Sequence, residues 1–360
     1  MKERLPGLID VHVHVREPGA THKEDWDSVT AAALAGGVTQ ILAMPNTKPP
    51  VTDAHTLAAV LDLAAGKARC DYAQFVGAGA DNAGQAAAAA PYAAALKMYL
   101  DQTYGPLRLD DMTDWMKHFE AWPGETPICL HAESRTLAAA LLQCALSGKR
   151  AHVCHVSTRE EITIIRAAKQ HGLPVTCEVT PHHLFFSTAD LERLGPGRCE
   201  VRPRLASPQD QQALWDNLAF IDCFATDHAP HTLAEKDGEN PPPGFPGLES
   251  LLPLLLTAAA QGRLTLEDIR QRCYTNPRRI FGLPEQPDTW VEVDLDARWT
   301  FDAARTLTRC AWSPFQDMPL TGRVERVVLR GQTVFAEGSV LAQPGSGINM
   351  RQSMPLTARQ

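Results

Sequence analysis

Short apolar segments rich in β-branched residues recur along the chain, and stretches with a helical pattern separate most of them. Such alternation indicates parallel strands joined by crossover helices. The predicted strands are residues 7–15, 38–44, 71–77, 95–100, 127–131, 151–156, 174–179 and 221–227. The predicted helices are residues 23–35, 53–65, 110–120, 134–146, 159–171, 247–261 and 265–273.

Strands in this number favour an α/β fold of the (β/α)8 barrel type over residues 7–283. The alternative is an open, doubly wound sheet, which would carry a glycine-rich phosphate loop between a strand and a helix. Neither G-x-G-x-x-G nor G-x-x-x-x-G-K-[ST] occurs in the chain, so the closed barrel is favoured.

The pattern changes after residue 283. Residues 289–295 and 323–340 predict short antiparallel strands around a turn at 329–332. We therefore predict a small β appendage over residues 284–342, joined by residues 1–6. The tail, residues 343–360, is rich in proline, glycine and polar residues, and we expect it to be poorly ordered.

Polar side chains stand at the ends of several apolar segments. The two histidines of the first segment are two residues apart, so their side chains point to the same side of a strand. Because the carboxyl ends of barrel strands converge on one mouth, we expect these polar groups to meet there and to bind a divalent metal. The six candidates are His12, His14, Lys97, His131, His155 and Asp227.

Lys97 is the unusual member of this set, because a charged amine inside an apolar strand is costly to bury. One interpretation is a buried, ion-paired lysine. The other is a lysine carbamate, an anionic oxygen ligand formed with CO₂, which could bridge two metal ions ~3.5–4 Å apart. The neighbouring histidines and aspartate favour the carbamate.

Longer motifs extend over most of the chain. They are Asp10-Val-His-Val-His-Val-Arg-Glu-Pro-Gly19, Ala43-Met-Pro-Asn-Thr47, Cys177-Glu-Val-Thr-Pro-His-His-Leu184, Asp227-His-Ala-Pro-His231 and Pro241-Pro-Pro-Gly-Phe-Pro-Gly-Leu-Glu249. In combination they resemble the dihydroorotases of the amidohydrolase superfamily, and most closely the dihydroorotase domains of animal multifunctional pyrimidine-synthesis proteins.

The resemblance implies a zinc-dependent enzyme that reversibly cyclises N-carbamoyl-L-aspartate to (S)-dihydroorotate in the biosynthesis of UMP. In such an enzyme a hydroxide that bridges two zinc ions attacks the ring amide, and Asp227 acts as general acid and base. The implied ligands are His12, His14, Asp227 and carboxylated Lys97 for one zinc, and carboxylated Lys97, His131 and His155 for the other.

The substrate carries a carboxylate, which a guanidinium binds bidentately. Arg16 lies two residues beyond His14 and therefore faces the same mouth. The resemblance adds further contacts to the carboxylate and the ring, and a closing backbone segment. The implied substrate contacts are Arg16, Asn46, Arg202, His231 and the backbone around Pro243 and Gly244.

Residues 101–106 follow the Lys97 strand and are predicted to form a lid that pivots at Gly105. Thr103 is a candidate donor to the developing oxyanion. Tyr104 stands where the animal domains tend to have phenylalanine.

Cys154 precedes His155, so strand alternation places their side chains on opposite faces. The resemblance implies an additional zinc at Cys154 and Glu178. The alternative is a packed core thiol and a carboxylate that orients a metal ligand.

The net charge of −8 argues against nucleic acid or an anionic membrane as a partner,. No apolar run approaches the ~20 residues of a membrane span. Nine cysteines without a C-x-x-C pair indicate reduced thiols, and hence a cytoplasmic protein,.

The resemblance further implies a homodimer that is fused to, or assembled with, aspartate transcarbamoylase and carbamoyl-phosphate synthetase. Two alternatives stay open: another cyclic-amide hydrolase (an allantoinase or a dihydropyrimidinase/hydantoinase), and a scaffold relative without catalysis. Arg16 argues against the first of these, because rings without a carboxylate do not need it.

Overall fold

The computed structural model describes residues 1–351. Within them the strands are β1 (Lys2–Pro6), β2 (Leu8–Val13), β3 (Val38–Ala43), β4 (Asp71–Gln74), β5 (Val76–Gly77), β6 (Leu96–Tyr99), β7 (Ile128–His131), β8 (Ala151–Val153), β9 (Val175–Val179), β10 (Cys223–Phe224), β11 (Trp290–Thr300), β12 (Pro319–Leu329), β13 (Gln332–Ala336) and β14 (Ser339–Val340). The α-helices are α1 (Trp26–Ala35), α2 (Ala54–Lys67), α3 (Ala83–Ala89), α4 (Met112–Ala121), α5 (Ser134–Ser147), α6 (Arg159–Gln170), α7 (Pro181–Phe185), α8 (Leu191–Leu194), α9 (Pro208–Asp216), α10 (Leu233–Lys236), α11 (Leu251–Ala260), α12 (Leu266–Arg270) and α13 (Asn276–Phe281).

The parallel strands close into a barrel. One sheet has the order β2-β3-β4, and another runs from β5 to β10. β4 and β5 are parts of one strand interrupted at Phe75, whose N–H donates to Ala43 O at 2.9 Å. At the other seam, His14 N donates to His228 O at 2.8 Å, which joins the end of β2 to the chain beyond β10. The predicted (β/α)8 barrel is therefore confirmed.

A buried carboxylate secures the second seam. Asp10 on β2 accepts hydrogen bonds from Thr226 N at 3.1 Å and from Thr226 Oγ1 at 2.5 Å, beyond the end of β10. Asp10 Oδ1 also accepts from His12 N at 3.1 Å. Burial raises the pKa of the Asp10 carboxyl to about 7, although these hydrogen bonds act to lower it. The contacts fix the backbone on which His12 stands.

Side-chain caps set where several helices begin. The Asp25 carboxylate accepts from Ser28 N at 2.9 Å and starts α1, and Asp53 does the same for α2 through Thr56 N at 2.8 Å,. The sequence predicts that this first helix begins at residue 23. Lys23 instead lies in the turn before Asp25, with its side chain buried.

The barrel interior below the mouth is apolar, so polar groups at the mouth lie above a floor that excludes water. This interior cluster includes Ile9, Val11, Leu42, Phe75, Ala95, Cys129, Cys223 and Ala225.

The antiparallel sheet has the order β1-β11-β12-β13-β14, so residues 2–6 do join the C-terminal strands. The segment between β11 and β12 returns to the barrel mouth, where Trp312 Nε1 donates to His231 O at 2.7 Å. The domain boundary at residue 283 stays a prediction.

Part of the predicted tail is held against the barrel. Gly347 N donates to Ala68 O, and Met350 N donates to Tyr72 O, each at 2.8 Å. The expectation of poor order is therefore wrong for this part, because its backbone groups find partners near β4. Residues 352–360 lie outside the described residues. Among residues 1–351, no helix combines the length and the apolar character that a membrane crossing needs.

Candidate active site

The six predicted metal ligands all lie buried at the barrel mouth. Asp227 Oδ1 is 3.3 Å from His12 Nε2 and 3.1 Å from His14 Nε2. Burial raises the pKa of the Asp227 carboxyl, but His12 and His14 outweigh it and hold that pKa well below its usual range. The aspartate is therefore an anion between two imidazoles.

The imidazoles of His131 and His155 converge. His131 Nδ1 lies 2.9 Å from His155 Nε2, and burial lowers the pKa of both rings. Neutral imidazole nitrogens bind zinc at ~2.0–2.1 Å, so two ligands of one ion are close neighbours. The pair therefore fits a metal, and its role as a ligand pair stays a prediction.

Lys97 is fully buried, and its Nζ donates to Cys154 Sγ at 2.9 Å. Within residues 1–351, no carboxylate lies within ion-pair distance of Lys97. The ion-paired interpretation therefore lacks its partner, whereas conversion to a carbamate would replace the buried cation with an anionic ligand.

Cys154 and His155 both line the mouth, contrary to simple alternation. β8 ends at Val153, and His155 has a φ of 35°, in the left-handed region. Asp227 and Arg16 also have positive φ values, of 45° and 67°. Such conformations are rare for residues with a Cβ and are typical of functional sites, where the surroundings impose them.

Glu178 orients His12. One carboxylate oxygen is 2.5 Å from His12 Nδ1, and the other is 3.1 Å from His152 Nε2. Burial by itself raises the pKa of the Glu178 carboxyl. The two histidines lower that pKa by more, so it lies well below its usual value. Ligand atoms of His12, Cys154 and Glu178 lie within 4.8 Å of one another. The sequence does not indicate a role for His152, because strand alternation places its side chain on the face opposite to that of His155, with the core positions.

Beside this cluster lies a cationic pocket. Arg16 Nε donates to Pro230 O at 3.1 Å, and Arg16 Nη2 lies 3.0 Å from His231 Nε2. His231 Nδ1 is 2.9 Å from Lys23 Nζ. Burial lowers the pKa of His231, and the charges of Arg16 and Lys23 lower it further, so the ring is neutral. Lys23 was not predicted from the sequence.

Asn46 connects the metal cluster to the predicted lid. Its Oδ1 is 2.7 Å from His14 Nδ1, and its Nδ2 donates to Tyr104 O at 2.9 Å. The Tyr104 ring lies edge-on to His231, with centroids 5.2 Å apart. Thr103 is half-buried and has no hydrogen-bond partner among the described residues, so its role stays a prediction.

The remaining predicted contacts divide into two groups. Pro243 O lies 3.0 Å from His231 Nε2, and Gly244 follows it with a φ of 142°. Arg202 instead donates to Glu200 Oε2 at 2.8 Å and to Val201 O at 2.9 Å. Pro243 and Gly244 are thus at the cationic pocket, whereas Arg202 is paired elsewhere.

Comparison with known proteins identifies relatives of this chain. A family model described as dihydro-orotase-like matches residues 2–95. The chain is 55% identical over 348 residues to the multifunctional protein CAD of Squalus acanthias, covering 97% of the chain and 16% of that protein. It therefore spans about a sixth of that relative's length. It is 34% identical to the dihydroorotase of Pyrococcus furiosus, covering 94% of the chain and 83% of that relative.

Two solved structures share the fold. The L-hydantoinase (dihydropyrimidinase) of Arthrobacter aurescens superposes with a TM-score of 0.93 at 26% identity, covering 98% of this chain and 89% of that one. The inactive dihydroorotase-like domain of the CAD-like multifunctional protein of Chaetomium thermophilum superposes with a TM-score of 0.83 at 33% identity, covering 97% and 99%.

Fold, site and relatives together define a (β/α)8-barrel protein of the amidohydrolase type. The chain belongs to the dihydroorotase family, because the similarity to the Pyrococcus enzyme extends over most of both chains.

Proposed function

We propose that this chain is a zinc-dependent dihydroorotase, which reversibly cyclises N-carbamoyl-L-aspartate to (S)-dihydroorotate in pyrimidine biosynthesis. One observation carries the proposal: a cluster of metal-ligand residues and a cationic pocket lie side by side at one barrel mouth. His14 belongs to the first, Arg16 and His231 belong to the second, and Asn46 is in hydrogen-bond contact with His14. A cyclic amide with a carboxylate substituent needs both regions.

Two zinc ions would occupy the ligand cluster. His131 and His155 fit a metal because their ring nitrogens converge at 2.9 Å, and Lys97 fits as a carbamate because it is buried without an anionic partner in the described chain. When bound, the metal pair would activate a water molecule and polarise the amide carbonyl. The proposed ligands are His12, His14, Asp227 and carboxylated Lys97 for one ion, and carboxylated Lys97, His131 and His155 for the other.

Asp227 is the proposed general acid and base. Its carboxylate is ionised, so it can accept a proton from the attacking water and deliver it to the departing ring nitrogen,. His12 and His14 both contact Asp227 Oδ1, which leaves Oδ2 for the proton transfer. In the cyclising direction the same carboxylate would take the proton from the attacking carbamoyl nitrogen.

Arg16 and His231 are the proposed contacts of the substrate carboxylate, with the backbone of Pro243 and Gly244 against the ring. Asn46 would contact the substrate from the position where it now holds Tyr104 O. Arg202 would join only after leaving Glu200, its present partner. Thr103 is the proposed donor to the developing oxyanion once residues 101–106 close over the mouth.

A third zinc is proposed at Cys154 and Glu178. Both residues lie next to His12, and the three ligand atoms are close enough to share one ion. Glu178 would then bind the ion in addition to orienting the His12 ring,.

The setting of the chain is also a proposal. The multifunctional relatives support fusion to further protein domains, which we propose to be aspartate transcarbamoylase and carbamoyl-phosphate synthetase, and we propose a homodimer. All nine cysteines are free, which supports the cytoplasm,.

The first test is a combined assay. Zinc per chain is measured by elemental analysis on the sample used to assay dihydroorotate hydrolysis, with hydantoin, dihydrouracil and allantoin in parallel. We expect at least two zinc ions and turnover of dihydroorotate above the other rings. Faster turnover of a ring without a carboxylate would contradict the substrate assignment.

The solved inactive domain makes a non-catalytic role the second candidate. Zinc-loaded protein that turns over none of the four rings, after supply of bicarbonate, would favour it over the enzyme.

A further inference from the structure

Lys23 is a buried cation that the mechanism above does not use. It lies in the turn before α1 with 4% of its surface exposed. Its Nζ is 2.9 Å from Glu235 Oε1 and 2.9 Å from His231 Nδ1. An ammonium group has three N–H donors and no lone pair, so in this contact Nδ1 must accept.

The other ring nitrogen, Nε2, has one neighbour that requires a donor and one that requires an acceptor. Pro243 O, an acceptor, and Arg16 Nη2, a donor, each lie 3.0 Å from His231 Nε2. With the proton on Nε2, the contacts to Lys23 and Pro243 are both hydrogen bonds, and only the contact to Arg16 is unsatisfied. With the proton on Nδ1, the contacts to Lys23 and Pro243 are both unfavourable. The partners therefore select the Nε2–H tautomer.

This tautomer leaves two donors converging. Arg16 Nη2 and His231 Nε2 lie 3.0 Å apart and each carries an N–H group, and the single Nε2–H also faces Pro243 O. An anionic oxygen placed against both N–H groups would accept a hydrogen bond from each, with the Nε2–H shared between that oxygen and Pro243 O.

We propose that Lys23 is a positioning residue that fixes His231 as the neutral Nε2–H tautomer, so that the ring and Arg16 together donate to the substrate carboxylate. The identity of that carboxylate rests on the proposed function, whereas the tautomer does not. The charges of Arg16 and Lys23 also oppose a second proton on the ring, which keeps it a neutral donor. Trp312 Nε1 donates to the backbone oxygen of His231 and so holds that backbone in place.

The test combines spectroscopy with kinetics on the zinc-loaded full chain. Long-range ¹H–¹⁵N spectra of histidine-labelled protein report which ring nitrogen carries the proton, and a His231→Asn sample assigns the signals. Lys23→Met removes the donor, and Lys23→Arg keeps one. Lys117→Met is the matched control, because Lys117 is an exposed lysine on α4.

In the unsubstituted protein and in K117M we expect only the Nε2–H form. In K23M we expect a mixture with the Nδ1–H form, together with a KM for dihydroorotate raised about tenfold and a kcat changed by less than about threefold. K23R should restore the Nε2–H form, and should return KM towards the original value.

Each other outcome overturns the proposal. A pure Nε2–H spectrum in K23M shows that Lys23 does not set the tautomer, even if KM rises. If K23M does not fold, an Nδ1–H signal in K23R contradicts the assignment in the same way. Should the unsubstituted protein not turn over dihydroorotate, the proposed function fails, and the spectra still decide the role of Lys23.

Discussion

The two halves of the barrel mouth are built from different parts of the chain. The metal-ligand half consists of residues on or just beyond the barrel strands, such as Lys97 within β6 and His131 at the end of β7. The cationic half consists of loop residues, such as Lys23 and His231, which are 208 positions apart and meet at 2.9 Å. Strand ends converge wherever a barrel forms, whereas these loops depend on one another for their positions.

The halves also differ in electrostatics. Asp227 is an anion between the imidazoles of His12 and His14, and Glu178 is an anion against those of His12 and His152, so the first half suits cations. In the second half, Arg16 and Lys23 surround the neutral ring of His231, so this half suits an anion. Because of this difference, we expect that single substitutions can impair metal binding and substrate binding separately.

The largest effect should follow Lys97→Ala. Loss of the proposed bridging carbamate should remove metal and lower kcat about 10³-fold or more. A small carboxylic acid should restore part of both, because it supplies the missing oxygen ligand. Elemental analysis and the hydrolysis assay check this, with Lys117→Ala as the exposed-lysine control. Full metal content and activity in K97A would rule out the carbamate.

Arg16→Met should break the other half alone. We expect KM for dihydroorotate to rise roughly 100-fold, as for loss of a charge-assisted bond of about 3 kcal/mol, with zinc content unchanged. Arg298→Met, at an exposed position of β11, is the control. An unchanged KM would place the carboxylate site elsewhere, and lost zinc would show that the halves are not separable.

Gly244→Ala should disturb the cationic half through its backbone. Gly244 has a φ of 142°, and a Cβ there would lie 2.5 Å from Ala229 O. We expect the free energy of unfolding to fall by roughly 2–4 kcal/mol, with a raised KM and retained zinc. Denaturant titration checks this beside Gly66→Ala, where a Cβ meets open space on α2. Equal stability of the two variants would contradict the strain.

Glu249→Gln should have the smallest effect, with turnover unchanged. Burial raises the pKa of Glu249 to about 8, although its carboxylate accepts from Leu307 N and Thr308 N. The folded protein thus holds a proton that the unfolded chain releases near pH 4.5. Stability therefore falls as pH rises from about 4.5 to 8, and the substitution should flatten that fall. Unfolding titrations at several pH values check this, and parallel profiles would contradict it.

The sequence by itself determined the barrel and the metal-ligand half. Alternating apolar segments specified parallel strands, and the two-residue spacing of His12 and His14 specified a shared face. Arg16 followed from the same spacing. The barrel is confirmed and these side chains meet at its mouth, because strand periodicity and barrel convergence are simple rules with a common geometric consequence, whereas their roles stay predictions.

Only the tertiary structure decided the cationic half. Lys23 was assigned to a helix, and nothing in its local pattern indicates that its amine reaches His231. Likewise Arg202 pairs with Glu200, and Cys154 turns towards Lys97 because the strand has already ended. Loop residues have no periodicity to fix their direction, so their contacts are set by whichever distant segments the closed barrel brings against them.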